Sequence, residues 1–166
     1  MFNIGFPFIP IQITLIDACI EAYPSFLTIV ESDTRRIRGR FLDTALRGAS
    51  PFGITVTAMI LAVSLLVPLP ADQKQTVMYL VLIILSMTAV IKSCIPFNIL
   101  RGFICVTMVI GTFGALIILP GLFEVCAMNL AMWVYLIIVS LGAMSVLIVV
   151  SQLGSAYLKE TPSKGK

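Results

Sequence analysis

Taken as a string of apolar and polar positions, the chain divides into five apolar stretches separated by short polar ones. The first runs from about Phe8 to Val30; the others cover 52–69, 77–94, 103–123 and 131–152. Each holds about twenty residues, and a helix of that length, rising 1.5 Å per residue, crosses the roughly 30 Å hydrocarbon core of a bilayer. Backbone groups in lipid have no water to bond, so stretches of this kind are expected to be helices. Runs of about ten alternating apolar and polar residues, the mark of a membrane β-barrel, do not occur. Proline and glycine punctuate the joins at Pro51, Pro68, Pro70, Pro96, Gly102, Pro120 and Gly121, as helix ends favour. The expected fold is all-α, a polytopic membrane bundle of about five transmembrane helices. It forms a single transmembrane domain over 1–166, with a cytoplasmic polar tail over 153–166.

Composition agrees. Of the 166 residues, 59% are hydrophobic and 11% charged, with a mean hydropathy of +1.07. A soluble domain carries about a quarter charged residues, so a water-solvated exterior is excluded. Cys19, Cys94, Cys105 and Cys126 lack CxxC spacing and no histidine is present, which argues against a metal–thiolate centre. The partner that this composition implies is the lipid bilayer, and no nucleic acid.

The formal charge is only +3, but its placement is informative. If every stretch crosses, one side holds Arg35, Arg36, Arg38, Arg40 and Arg47, then Lys92 and Arg101, then Lys159, Lys164 and Lys166. Lys74 alone remains for the other side. Loops rich in Lys and Arg stay in the cytoplasm, so the expected orientation has the N-terminus outside and the C-terminus cytoplasmic, in a multi-pass protein of the cell membrane. The Arg35–Arg40 cluster most simply fixes this topology and meets anionic headgroups. Residues 1–10 carry no basic region and no cleavage site, so the sequence reads as though an earlier part of a longer membrane protein preceded it.

The chemistry lies in the first stretch. Asp17 and Glu21 are the only acids within any apolar stretch. A carboxylate at mid-membrane costs about 3 kcal/mol on insertion scales, so it is rare and usually functional. Their i, i+4 spacing puts both on one helix face, where they repel unless a cation lies between them or one is protonated. Oxygen-only ligation suits hard ions such as Ca²⁺, Mn²⁺ or Mg²⁺. Pro24 has no N–H and would clash with the Ile20 carbonyl, so the helix should kink or open there and free that carbonyl as a further ligand. Thr14, Gln12 and Ser25 are secondary candidates. The plainer reading keeps both acids protonated and hydrogen-bonded between helices.

Pro10-Ile11-Gln12, then Asp17, Glu21 and Pro24, then a basic loop ending Arg40-Phe41-Leu42, resembles the sixth membrane helix of P-type cation-transporting ATPases. The likeness is nearest to the bacterial calcium-transporting branch and centres on PIQITLIDACIEAYPSF (10–26). It implies that the five stretches are the sixth to tenth membrane helices, the first of them partly unwound around the transported ion. On that reading Asp17 falls where many calcium pumps have Asn, and Glu21 where they have Asp. Ile20 stands where Thr is frequent and Ala22 where Gly is, so one hydroxyl ligand is lost and one charge gained. No DKTGT, TGE or TGDGxND motif occurs, so the chain would not hydrolyse ATP alone. The resemblance implies the membrane module of an ATP-driven divalent cation transporter, most simply for calcium. Its partner would be a missing N-terminal part, earlier helices and cytoplasmic domains, which would engage ATP and Mg²⁺ in the complete pump. No resident cofactor is expected in this chain. The alternative is a free-standing membrane protein, serving as a proton or cation pathway or an interaction subunit without ATPase activity.

Overall fold

The computed structural model describes residues 8–29, 41–95 and 98–160. Arg35, Arg36, Arg38, Arg40, Pro96, Lys164 and Lys166 lie outside the described residues. All described elements are helical: α1 (Pro10–Leu15), a π-helical segment (Ile16–Ala22), α2 (Tyr23–Thr28), α3 (Phe41–Leu66), α4 (Ala71–Ser93), α5 (Ile99–Ile118) and α6 (Leu130–Glu160). The first three join end to end as one interrupted helix. Gly48–Leu66 of α3, α4, α5 and Leu130–Gln152 of α6 are each long and apolar enough to cross a membrane. The polytopic all-α architecture thus follows the apolar pattern.

The helix ends follow local chemistry. α4 starts directly after Pro70, and the Asn98 side chain caps α5 by accepting from the Ile99 N–H at 2.8 Å. The Asn129 side chain does the same for α6 through the Leu130 N–H at 2.6 Å. Two elements outrun their apolar stretches. α3 begins at Phe41, so Pro51, expected at a join, lies inside a helix. The N–H that Pro51 lacks would have served residue 47, and the intervening Gly48, Ala49 and Ser50 are exposed, where surrounding polar groups can meet the freed carbonyl. α6 continues to Glu160, into the sequence expected as a polar tail.

α4 is the centre of the bundle. It touches α3, α5, α6 and the π-helical segment, and it buries residues all round its axis, among them Val77, Tyr79, Val81, Ile83 and Leu85. A helix apolar on every side belongs in such a position. Ile20, Ile104 and Met132 from the neighbouring helices are likewise fully enclosed. The outer surface is also apolar, with Leu65, Leu66, Ile117, Ile137, Ile138 and Leu141 exposed. In water that coat would be an aggregation surface; in a bilayer it is the solvated face.

α3 and α4 run antiparallel. The Lys74 ammonium donates to the Ser64 carbonyl at 3.2 Å, while the Lys92 ammonium sits 5.8 Å from the centre of the Phe52 ring. Lys74 and Lys92 therefore mark opposite ends of the bundle. Gln75, near the start of α4, meets Gln12 near the start of α1, so these two helices begin at the same end.

Candidate functional site

The first helix changes geometry where its acids are. A π-helix bonds each N–H to the carbonyl five residues back, one more than in an α-helix. The last bond of that register runs from the Tyr23 N–H to the Ala18 carbonyl. The next would need an N–H on Pro24 and would reach Cys19; in the α register Pro24 would serve Ile20. Proline has no N–H to give, so Pro24 serves neither. The opening expected at Pro24 takes the form of a widened turn, and Cys19 joins Ile20 among the carbonyls deprived of that donor.

Asp17 and Glu21 both lie on the exposed side of this segment, with Ile16 and Ile20 on the buried side. Thr14 and Ser25 share the exposed side. The Thr14 hydroxyl donates to the Pro10 carbonyl at 3.0 Å and the Ser25 hydroxyl to the Glu21 carbonyl at 2.6 Å. Four oxygen-bearing side chains thus form one outward stripe along the interrupted helix. Among the described residues no group of three or more His, Cys, Asp or Glu side chains gathers to enclose a metal. The stripe is open on its outer side.

Gln12 and Pro24 lie away from the stripe, both buried. The Gln12 side chain is fully enclosed. Its oxygen accepts from the Ile9 N–H at 3.2 Å and from the Gln75 amide at 3.4 Å. Its nitrogen donates to the Phe123 carbonyl at 2.9 Å. One backbone donor and one backbone acceptor fix which way the amide points. Gln12 is therefore an anchor between helices, with no lone pair aimed at the acids.

A second anchor holds the other end of the segment. The Tyr23 hydroxyl lies 2.7 Å from the Thr107 hydroxyl. Thr107 directs its own proton at the Phe103 carbonyl, 2.8 Å away, so Tyr23 is the donor. Back at the Gln12 end, the buried Thr76 hydroxyl donates to the Asp72 carbonyl at 3.1 Å and accepts from the Cys126 N–H at 3.2 Å, tying the α5–α6 turn to α4. Sequence reasoning did not single out Tyr23, Gln75, Thr76, Tyr79 or Thr107. For Tyr23, Tyr79 and Thr107 the signal was a polar atom within an apolar stretch, and for Gln75 and Thr76 a polar residue in a join; neither gives a partner.

These features define a multi-pass α-helical membrane protein with a locally opened first helix that presents two carboxylates. No family model matches the chain, and no solved structure does. Over 118 residues it is 30% identical to the probable cation-transporting ATPase exp7 of Streptococcus pneumoniae. The alignment covers 69% of this chain and 15% of that protein. The chain is therefore similar to a small part of a much longer protein.

Proposed function

We propose that this chain belongs to the membrane module of a P-type, ATP-driven divalent cation transporter. Calcium is the leading ion, with Mn²⁺ and Mg²⁺ served by the same hard oxygen chemistry. Asp17 and Glu21 supply carboxylates on the open face with Thr14 and Ser25 flanking them, and the Ile20 carbonyl, enclosed behind them, would add a neutral oxygen from the inner side of the opened turn. The observation that carries this reading is the coincidence of both acids with the π-helical segment just before Pro24. Irregular backbone at membrane depth is tolerated where it lines a site or is packed in protein.

The outward direction of the acids bears on the partner. A carboxylate facing lipid costs about 3 kcal/mol, so this face requires protein or water against it. Earlier helices of a longer pump would supply that wall. The cytoplasmic domains of the same polypeptide would bind ATP and Mg²⁺. The basic-residue bias supports a cytoplasmic C-terminus in the cell membrane. Once emptied, the carboxylates would take up protons on the return step, because unneutralised charge in lipid is costly.

The test is to install Asp17→Asn and Glu21→Gln in the complete pump and measure ion-stimulated ATPase activity in vesicles. Each change removes a charged ligand worth upwards of about 1.5 kcal/mol, so half-maximal activation should need roughly tenfold more ion. Unchanged activation in both variants would remove the proposal.

A further inference from the structure

α3 and α4 leave a shallow groove between them, about 230 Å³ of empty space with its open side included. Val56, Met59 and Val63 of α3 line it opposite Met78, Leu82 and Leu85 of α4, and every lining side chain is apolar. Among the described residues, neither α6 nor the interrupted helix adds a wall.

Lys74 stands at one end of this groove. Positions 74, 78, 82 and 85 follow at intervals of four and three, so the lysine shares the groove face of α4, one turn outward from Met78. Its ammonium donates to the Ser64 carbonyl at 3.2 Å, and the Ser64 hydroxyl donates to the Met78 sulfur at 3.9 Å. The charge is thus held where the apolar lining stops. The Ser64 carbonyl occupies one of three N–H donors, and the ammonium has no other partner among the described residues. The acids at this end of the bundle lie elsewhere. Asp72 and Thr76 share the opposite face of α4, where Thr76 meets the α5–α6 turn, and Glu124 belongs to that turn. Depth agrees with this arrangement. From Lys74 to Leu85 the helix rises about 16 Å, against about 15 Å for one leaflet of the hydrocarbon core. A cation above an apolar slot one leaflet deep matches a phosphate with an acyl chain beneath it.

We propose that the α3–α4 groove binds one anionic phospholipid from the leaflet at the Lys74 end, its phosphate on the Lys74 ammonium and one acyl chain between 56–63 and 78–85. Lysine serves phosphate as a point charge on a flexible stem, which lets it follow the headgroup. The chain of the lipid touches both helices and fills the side on which they have no protein neighbour. Nothing in this site depends on Asp17 or Glu21, so it stands or falls apart from the ion site.

The experiment titrates the full chain, freed of lipid in a mild detergent, with phosphatidylglycerol and with phosphatidylcholine of equal chain length. Native mass spectrometry counts the lipids bound. Wild type should hold one phosphatidylglycerol about fivefold more tightly than phosphatidylcholine, the effect of one cation beside an anionic headgroup, and salt should shrink that preference. Lys74→Gln should erase the preference and Lys74→Arg should keep it. Val56→Phe places a ring in the groove and should weaken both lipids several-fold. Equal binding of the two lipids by wild type, a comparison that needs no variant, would overturn the proposal, as would a preference untouched by Lys74→Gln or Val56→Phe. Photo-crosslinking from p-benzoylphenylalanine at position 82, in native membranes, identifies the occupant. Adducts to phospholipid support the site; adducts to protein would make the groove a seat for another helix and sink it.

Discussion

The Gln12 side-chain amide donates to the Phe123 backbone carbonyl at 2.9 Å, joining positions 111 residues apart. The bond ties the start of the first helix to the turn between α5 and α6, and the same amide receives the Ile9 N–H. Tyr23 and Thr107 make the corresponding tie at the other end. The π-helical segment between them is therefore held at both ends while its acidic face stays open. A segment pinned this way can change its turn without swinging out of the bundle, as the proposed ion site would require.

Gln12→Leu keeps the side-chain volume and removes every polar contact. It strands the Ile9 N–H and the Phe123 carbonyl in an enclosed place, at about 1–3 kcal/mol for each unsatisfied group. The thermal midpoint in detergent should drop clearly, with α1 losing protection first in hydrogen exchange. A midpoint equal to wild type would mean that lipid or detergent headgroups replace those bonds.

The Tyr23–Thr107 bond should be weaker. Thr107 keeps its carbonyl acceptors when Tyr23 is lost, so no buried group is orphaned on that side. Polar contacts between membrane helices average about 0.6 kcal/mol in double-mutant cycles. A cycle built from Tyr23→Phe and Thr107→Val should return a coupling of that order, favourable in sign. A coupling indistinguishable from zero would show that the two hydroxyls meet without holding the helices together.

The long helices were legible because lipid imposes a simple rule: about twenty apolar residues, with breakers at the ends. α4, α5 and the apolar parts of α3 and α6 obey it. The rule fails at Pro51, where a proline expected at a join sits inside a helix, preceded by exposed Gly48, Ala49 and Ser50, where the carbonyl it cannot serve is not forced into an apolar core. In the first helix, Asp17, Glu21 and Pro24 flagged an opening, but whether it becomes a kink or a π turn depends on the packing of Ile16, Ile20 and Pro24 against α4 and α5. The contacts of Gln12 were not legible for a related reason. An amide beside two acids suggests a ligand, and its actual partners, Phe123 and Ile9, offer backbone atoms that leave no trace in side-chain identity.

Lys74 and Lys92 mark opposite ends of the bundle, so labelling them tests the expected orientation. With the four native cysteines replaced, Lys74→Cys should react with a membrane-impermeant maleimide added outside intact cells. Lys92→Cys should react only after the membrane is opened. Labelling of both from outside would contradict the basic-residue reading, and the reverse pattern would invert the protein in the bilayer.

Pro24→Ala is the sharpest probe of the opened helix. Alanine restores an N–H and removes the ring, and in a helix interior it is favoured over proline by up to about 3 kcal/mol. The new N–H can serve Ile20 in the α register, so the wide turn loses its cause and the segment should tighten. The expected result is a more stable protein, with slower exchange over 20–26, in which Asp17 and Glu21 have rotated relative to each other. In the complete pump the same change should weaken ion activation while leaving the fold intact, separating stability from function. If Pro24→Ala keeps both the exchange pattern and the ion response of wild type, the π turn is imposed by helix packing, and proline is not its origin.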